Sequence, residues 1–215
     1  VLEKVYSLET ERIIWQYMEN EPRIQYIKME ENLGISGNSN RALQAAKGAY
    51  VALLDHDDVL TEDALYWVVD ALQRERYDVV YSDEDRMAEN GSHYLEPRFK
   101  PEFDIDLLRA YNYISHLFVA RRELMLADGG FHSQYDGAQG YDMILRCCEG
   151  NREICHIPRV LYHKRIHDGT SSEREAKHAQ ENLAGKEALE AHVSREHLLA
   201  RVMMTDQRSV YTVKY

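Results

Sequence analysis

Ala49-Tyr50-Val51-Ala52-Leu53-Leu54-Asp55-His56-Asp57-Asp58 decides how the rest of the chain is read. An apolar run of strand character stops abruptly in three acids within four residues. Such a run suits a strand buried on both faces, as in a parallel sheet covered by helices. The acids then fall at the carboxyl end of the strand, where open α/β sheets build their ligand crevice. Carboxylates crowded at one strand end repel one another unless a cation neutralises them. The stretch therefore predicts a divalent metal holding the phosphates of a ligand. Its alternative is a solvated acidic turn, with Asp58 or Thr61 capping the next helix.

The 215 residues make one large domain, or one domain with an extension, and are enough to bury a substantial core. A formal charge of -11 argues against a general nucleic-acid binder, which needs stripes of Lys and Arg, but leaves room for a nucleotide whose charge a metal balances. No apolar run approaches the length of a membrane span, and no signal peptide is expected from the Glu-rich start. Cys147, Cys148 and Cys155 lack paired metal spacing and read as packing or free thiols in a reducing compartment.

Working outward, the spacing predicts a helix to about Asn20, stopped at Glu21-Pro22. A short strand is expected over Arg23–Lys28, then a polar loop over Asn32–Asn40 and a helix running to Lys47-Gly48. After the acid-tipped strand come an amphipathic helix over Thr61–Arg74 and a second strand, Tyr77–Tyr81, ending in Asp83, Glu84 and Asp85. That second cluster reads as ligand-facing, or as a turn before the hairpin tip Glu89-Asn90-Gly91. Further on, Tyr111–Val119 is strand-like, Arg122–Ala127 helical, and Met143–Cys148 helical with Asp142 near its start. Glu153–Tyr162 is a strand, Glu173–Leu199 a charged helix and Ser209–Tyr215 a last strand. Alternating strands and helices with short loops predict a mostly parallel sheet flanked by helices.

Several segments then line up in order: Asn32-Leu33-Gly34-Ile35-Ser36, Leu54-Asp55-His56-Asp57-Asp58, Tyr81-Ser82-Asp83-Glu84-Asp85 and Phe99-Lys100-Pro101. They continue with Gly129-Gly130-Phe131, Gly137-Ala138-Gln139-Gly140-Tyr141-Asp142 and Leu161-Tyr162-His163-Lys164-Arg165-Ile166-His167. The series resembles the family 2 glycosyltransferases of GT-A (Rossmann-like) fold, in the bacterial branch that builds O-antigen, rhamnan and related surface polysaccharides. The resemblance implies a GT-A domain over residues 1–170, and a C-terminal helix and final strand over residues 171–215. It implies transfer of a sugar from a nucleotide-diphosphate donor to a glycan or lipid-linked acceptor, with inversion. Mn²⁺ or Mg²⁺ is the expected cofactor, with Asp57 as its principal ligand and His163 and His167 as further ligands. Asp55, Asp57, Asn40, Asp83, Asp85 and Arg165 are the expected donor-binding residues, Arg165 because its fork matches phosphate. Asp58 is expected to cap the following helix.

Two departures qualify the resemblance. The family's catalytic base sits at the position of Gly140, which cannot accept a proton; Asp142 is the nearest replacement, though a helix-start acid explains it as well. Family members also open with two strands that hold the nucleotide, and this sequence begins after them. The expected picture is thus a piece of a longer polypeptide, cytoplasmic or peripheral at the inner membrane face, free to form a homo-oligomer or to neighbour another transferase module. A second reading follows from the same departures: a non-catalytic sugar-nucleotide or glycan-binding module. A nucleotidyltransferase or phosphatase lacks its nucleophile or phosphate-cradling loop here. Asn38, Asn112, His116 and Lys100 read as functional or as loop structure alike, and Trp67 as core.

Overall fold

The computed structural model describes residues 8–127, 129–166 and 171–215. Helix α1 covers Leu8–Asn20 and α2 Gly34–Ala45, followed by β1 (Tyr50–Leu53) and β2 (Val59–Leu60). Helix α3 (Ala64–Arg74), β3 (Val79–Met87), β4 (Tyr94–Arg98), α4 (Ile105–Ala110), β5 (Phe118–Arg121) and α5 (Arg122–Ala127) come next. The chain closes with α6 (Gln139–Cys147), β6 (Ile154–Arg165), α7 (Ser171–Arg195) and the strands β7 (Arg201–Met204) and β8 (Tyr211–Lys214).

The central sheet has the order β1-β5-β3-β6-β2, with β4 hanging from β3 as a hairpin. Strand β5 is antiparallel to both β1 and β3, and β3 is parallel to β6, so β1, β3 and β6 point the same way. Their carboxyl ends share one rim, which gathers the residues after Leu53, Tyr81 and Leu161. Strand alternation divides the core in two. Val79, Tyr81, Phe118 and Ala120 face a cluster completed by Leu43, Leu108, Met125, Met143–Leu145, Leu189 and Tyr211. Val80, Leu117 and Val119 face the other side, where Ala64, Val68 and Ala71 of α3 cover them with Leu161 and Tyr162. The strand residues are 0–2% exposed, which is why their sequence reads as continuous apolar runs. Truncating one such side chain, Leu145→Ala for instance, costs about 2–5 kcal/mol. Residues from 171 onward share this core: Leu189 and Val193 of α7, Val202 of β7 and Tyr211 of β8 all lie in the first cluster.

Four local expectations change. Asn32–Asn40 is not a loop, because α2 begins at Gly34 and absorbs it. Poor helix formers are held there by tertiary partners: Ser36 donates to Asp136, and Asn40 exchanges two hydrogen bonds with the Phe131 backbone. Arg23–Lys28 forms no strand: Arg23 lies in a turn and residues 24–28 join no ladder among the described residues. The strand expected over Tyr111–Val119 starts later, at Phe118, leaving 111–117 as a rim loop. Helix α6 starts at Gln139, so Asp142 lies inside its first turn.

Candidate functional site

The rim brings together residues from three places in sequence. Asp55 and Asp58 follow β1, His116 precedes β5, and Tyr162 lies near the end of β6. One ligating atom from each of Asp55, Asp58 and His116 lies within 4.8 Å of the others. Tyr162, fully buried, ties this group together: its hydroxyl donates to Asp58 Oδ2 at 2.6 Å and accepts the Asp55 N–H at 3.2 Å. Its ring stacks on the His116 imidazole with centroids 4.6 Å apart and planes 12° from parallel. Asp58 Oδ1 accepts the Arg165 N–H at 2.8 Å, so Asp58 binds β6 rather than capping α3. The α3 entry uses Thr61 and Asp63 instead, through a 2.8 Å hydroxyl–carboxylate bond.

Burial raises the Asp55 carboxyl above its ordinary value, and the neighbouring Asp58 pushes the same way. Burial, reinforced by Lys164 and Lys100, holds the His116 imidazole down at about 3, so it is neutral across the physiological range. Two carboxylates and one neutral imidazole are a donor set suited to Mn²⁺ or Mg²⁺, the imidazole favouring Mn²⁺. These residues fit a divalent cation. Lys164, exposed, reaches within 3.4 Å of His116 Nε2 and stands over the same opening.

The other expected site residues are distributed differently. Asp57 is adjacent to the cluster, with its carbonyl accepting from Arg165 Nε at 2.7 Å and its carboxylate 4.0 Å from His56. Arg165 also donates to the Glu89 carbonyl at 2.6 Å, so its fork is committed to protein backbone. His163 does not join the converging donors; its Nδ1 sits 2.6 Å from Asp85 and its ring stacks under Tyr94 at 3.9 Å. Asp83 likewise faces His156 Nε2 at 2.8 Å and accepts the Lys100 N–H at 2.8 Å. Both acids are buried partners of histidines on β6. His167 lies outside the described residues.

Asn40 points away from the rim and joins α2 to the α5–α6 connection. Its amide donates to the Phe131 carbonyl at 2.8 Å and accepts the Phe131 N–H at 2.7 Å. Gly130 makes this approach possible: it has φ +86, and a Cβ there would stand 2.2 Å from Asn40 Oδ1. Asp142 is fully buried. Its Oδ2 accepts from Arg146 Nε at 3.0 Å and Nη2 at 2.8 Å, and lies 3.1 Å from His132 Nδ1. Asp142 Oδ1 and Arg146 Nη1 are left without hydrogen-bond partners among the described residues. Beside Asp142 in sequence, the space a Gly140 side chain would occupy is open.

Sequence reasoning missed the role of Tyr162 and the convergence of His116 and Lys100 on the acid-tipped strands. Lys100 carried one signal, a charged residue between Phe99 and Pro101 in an otherwise aromatic stretch. Its side chain is 4% exposed and pairs with Glu84 at 3.2 Å.

Comparison with known proteins adds the family. Residues 7–126 match the family described as "Glycosyl transferase family 2". An uncharacterized protein, y4gI, of Sinorhizobium fredii is 40% identical over 190 residues, covering 87% of this chain and 21% of that protein. The O-antigen biosynthesis protein RfbC of Myxococcus xanthus is 35% identical over 192 residues, 89% of this chain and 15% of that protein. The chain thus spans about a fifth or less of these relatives. Among solved structures, S. aureus TarS 1–349 in complex with UDP-GlcNAc superposes with a TM-score of 0.61 at 19% identity, over 83% of this chain and 54% of that one. The likeness establishes the GT-A fold.

Proposed function

Because this chain belongs to glycosyl transferase family 2, we propose that it moves a sugar from a nucleotide-diphosphate donor onto a growing surface polysaccharide, with inversion at the anomeric carbon. The observation that carries this reading is the convergence of Asp55, Asp58 and His116 at the carboxyl rim of the sheet. Asp55, Asp58 and His116, with Asp57 beside them, would hold a Mn²⁺ or Mg²⁺ ion, which when bound would supply positive charge to offset that on a departing diphosphate. Lys164 adds a second positive charge at the same opening. Tyr162 ties the Asp58 carboxylate to the Asp55 backbone, which holds the two segments of the acid turn in place before the donor arrives. Direct displacement by the acceptor hydroxyl is favoured over a glycosyl-enzyme at α6, where Asp142 is buried against Arg146. Among the relatives' names, O-antigen biosynthesis supports a polysaccharide acceptor, and the UDP-GlcNAc complex of the TarS fold supports a nucleotide-sugar donor.

The test is release of nucleoside diphosphate from a panel of nucleotide sugars, with and without Mn²⁺. Turnover that needs the metal, and falls on the order of 100-fold in Asp55→Asn, is the expected result. Equal turnover in chelator refutes the metal-assisted reading.

One observation favours a second reading, a module that binds the donor without turning it over. Neither acid position of α6 offers a base, since Gly140 has no side chain and Asp142 is buried in an ion pair. Gly140→Asp separates the two. The new carboxylate has room, and under the binding-module reading it creates turnover that the parent lacks.

A further inference from the structure

Resting on the cation-site reading above, we propose that the buried Glu84–Lys100 ion pair is the positioning device that sets His116 against Asp55 and Asp58. The pair grips both backbone groups of one residue. Glu84 Oε2 accepts the His116 N–H at 3.2 Å, while Lys100 Nζ donates to the His116 carbonyl. The same Nζ donates to the Ile114 carbonyl at 2.7 Å, so the peptide run from 114 to 116 is fixed at two points. Glu84 lies on β3 and Lys100 follows β4, so the grip is anchored in the sheet's own hairpin.

The cost of this arrangement argues for its purpose. The two side chains are 4% and 5% exposed, and burial, with Arg98 pushing the same way, lowers the Lys100 ammonium to about 8 against the pull of Glu84 and Asp83. Taking both charges out of water is expensive, and replacing such pairs by apolar residues of similar volume is often neutral or stabilising. Their mutual attraction therefore does not by itself explain the pair; it also satisfies the His116 N–H and the Ile114 and His116 carbonyls. What it does supply is direction: with its peptide held, the His116 ring lies flat on Tyr162 and its Nε2 faces Asp55 Oδ2 at 4.0 Å. Partners that orient a ligand histidine act on metal affinity rather than on the fold. Glu84 and Lys100 lie outside the Asp55–Asp58–His116 donor set and act through His116.

The experiment compares Mn²⁺ binding, by isothermal titration or by the spin-resonance signal of free Mn²⁺, in three proteins. These are the parent, His116→Ala, and the double apolar swap Glu84→Leu with Lys100→Met. The expected result is a swap that folds with a lowered melting temperature, because three backbone groups lose their partners, and binds Mn²⁺ about 10–100-fold more weakly per folded molecule. Parent-like binding in the swap, alongside weakened binding in His116→Ala, overturns the positioning role and leaves the cation site standing. Parent-like binding in His116→Ala overturns both. If the swap does not fold, Glu84→Gln decides: it keeps an acceptor for the His116 N–H but removes the charge facing Lys100. Several-fold weaker Mn²⁺ binding supports the proposal, and unchanged binding defeats it.

Discussion

Two ionic networks in this molecule, one part-exposed at the rim and one packed under the C-terminal helix, differ in how their charges are balanced. The rim network, Asp55, Asp58, His116, Lys100 and Glu84, holds groups displaced against their charged forms: Asp55 upward, His116 and Lys100 downward. The network under the C-terminal helix closes on itself. Glu149 accepts His192 Nδ1 at 2.8 Å and a two-pronged contact from Arg195, and His192 Nε2 accepts from Arg109 Nε at 3.1 Å. Arg109 continues to Asp106 and to the Tyr215 hydroxyl, so α4, α6, α7 and β8 are joined. Burial pushes Glu149 up, but His192 and Arg195 outweigh it and its carboxyl ends below the ordinary value. The network under the C-terminal helix leaves its carboxylate more readily ionised than usual, as a structural ion pair does, whereas perturbed groups gathered at a sheet rim are the pattern of a functional site.

The sharpest way to break this contrast is Glu149→Ala. Removing one partner of a buried ionic network strands the others, and about 3–5 kcal/mol of stability should go with it, read from urea unfolding. Donor affinity per folded molecule should not change; a parallel loss of affinity would merge the two networks into one.

Acid separates them next. The unfolded His116 takes its proton near 6.5, while the folded one waits until about 3, so its contribution is complete above 6.5 and drains away as pH falls toward 3. The lowered Glu149 contributes above its unfolded value of 4.5 and loses that contribution only as pH falls below it. Between pH 6.5 and 5 the acid loss therefore belongs to the rim. His116→Asn should flatten that arm of the urea-midpoint profile and Glu149→Gln should not; a profile that Glu149→Gln flattens instead reverses the assignment.

The smallest effect tests α6, whose C-terminal end leads into Glu149. Gly140 has open space around it and lies in the first turn, so Gly140→Ala should stabilise by about 0.5–1 kcal/mol through helix entropy alone. A loss of stability there would mean that the opening beside α6 is structurally occupied.

How legible was this in the sequence? Ala49–Asp58 does form a strand with acids at the rim, because an apolar run with an abrupt polar end is a local property of the chain; the expected burial on both faces is not met, since β1 is an edge strand, only partly covered, and Leu54 is 51% exposed. The hairpin at Glu89-Asn90-Gly91 was legible for the same reason, and Gly91 indeed takes φ +71. The partners of those acids were not. Asp58 looked like a cap because caps are local, yet its oxygens are taken by Tyr162 and Arg165, more than a hundred residues away. His116 meets Asp55 only because β5 inserts antiparallel between β1 and β3, a topological fact with no local signal. The helix over Gly34–Ala45 was hidden by its own composition: Gly, Ser and Asn argue against a helix until Asp136 and Phe131 hold them. His163 was chosen for its neighbourhood in sequence, and the pleat of β6 instead turns it toward Asp85.

The stacking of Tyr162 on His116 gives the molecule its own gauge. A phenol that hydrogen-bonds one candidate ligand, receives the amide of another and lies flat against a third shares their magnetic and optical surroundings. A paramagnetic ion entering among them would broaden the proton resonances of that single aromatic ring before those of more distant tyrosines. Occupancy could then be followed spectroscopically without a labelled sugar or a coupled assay.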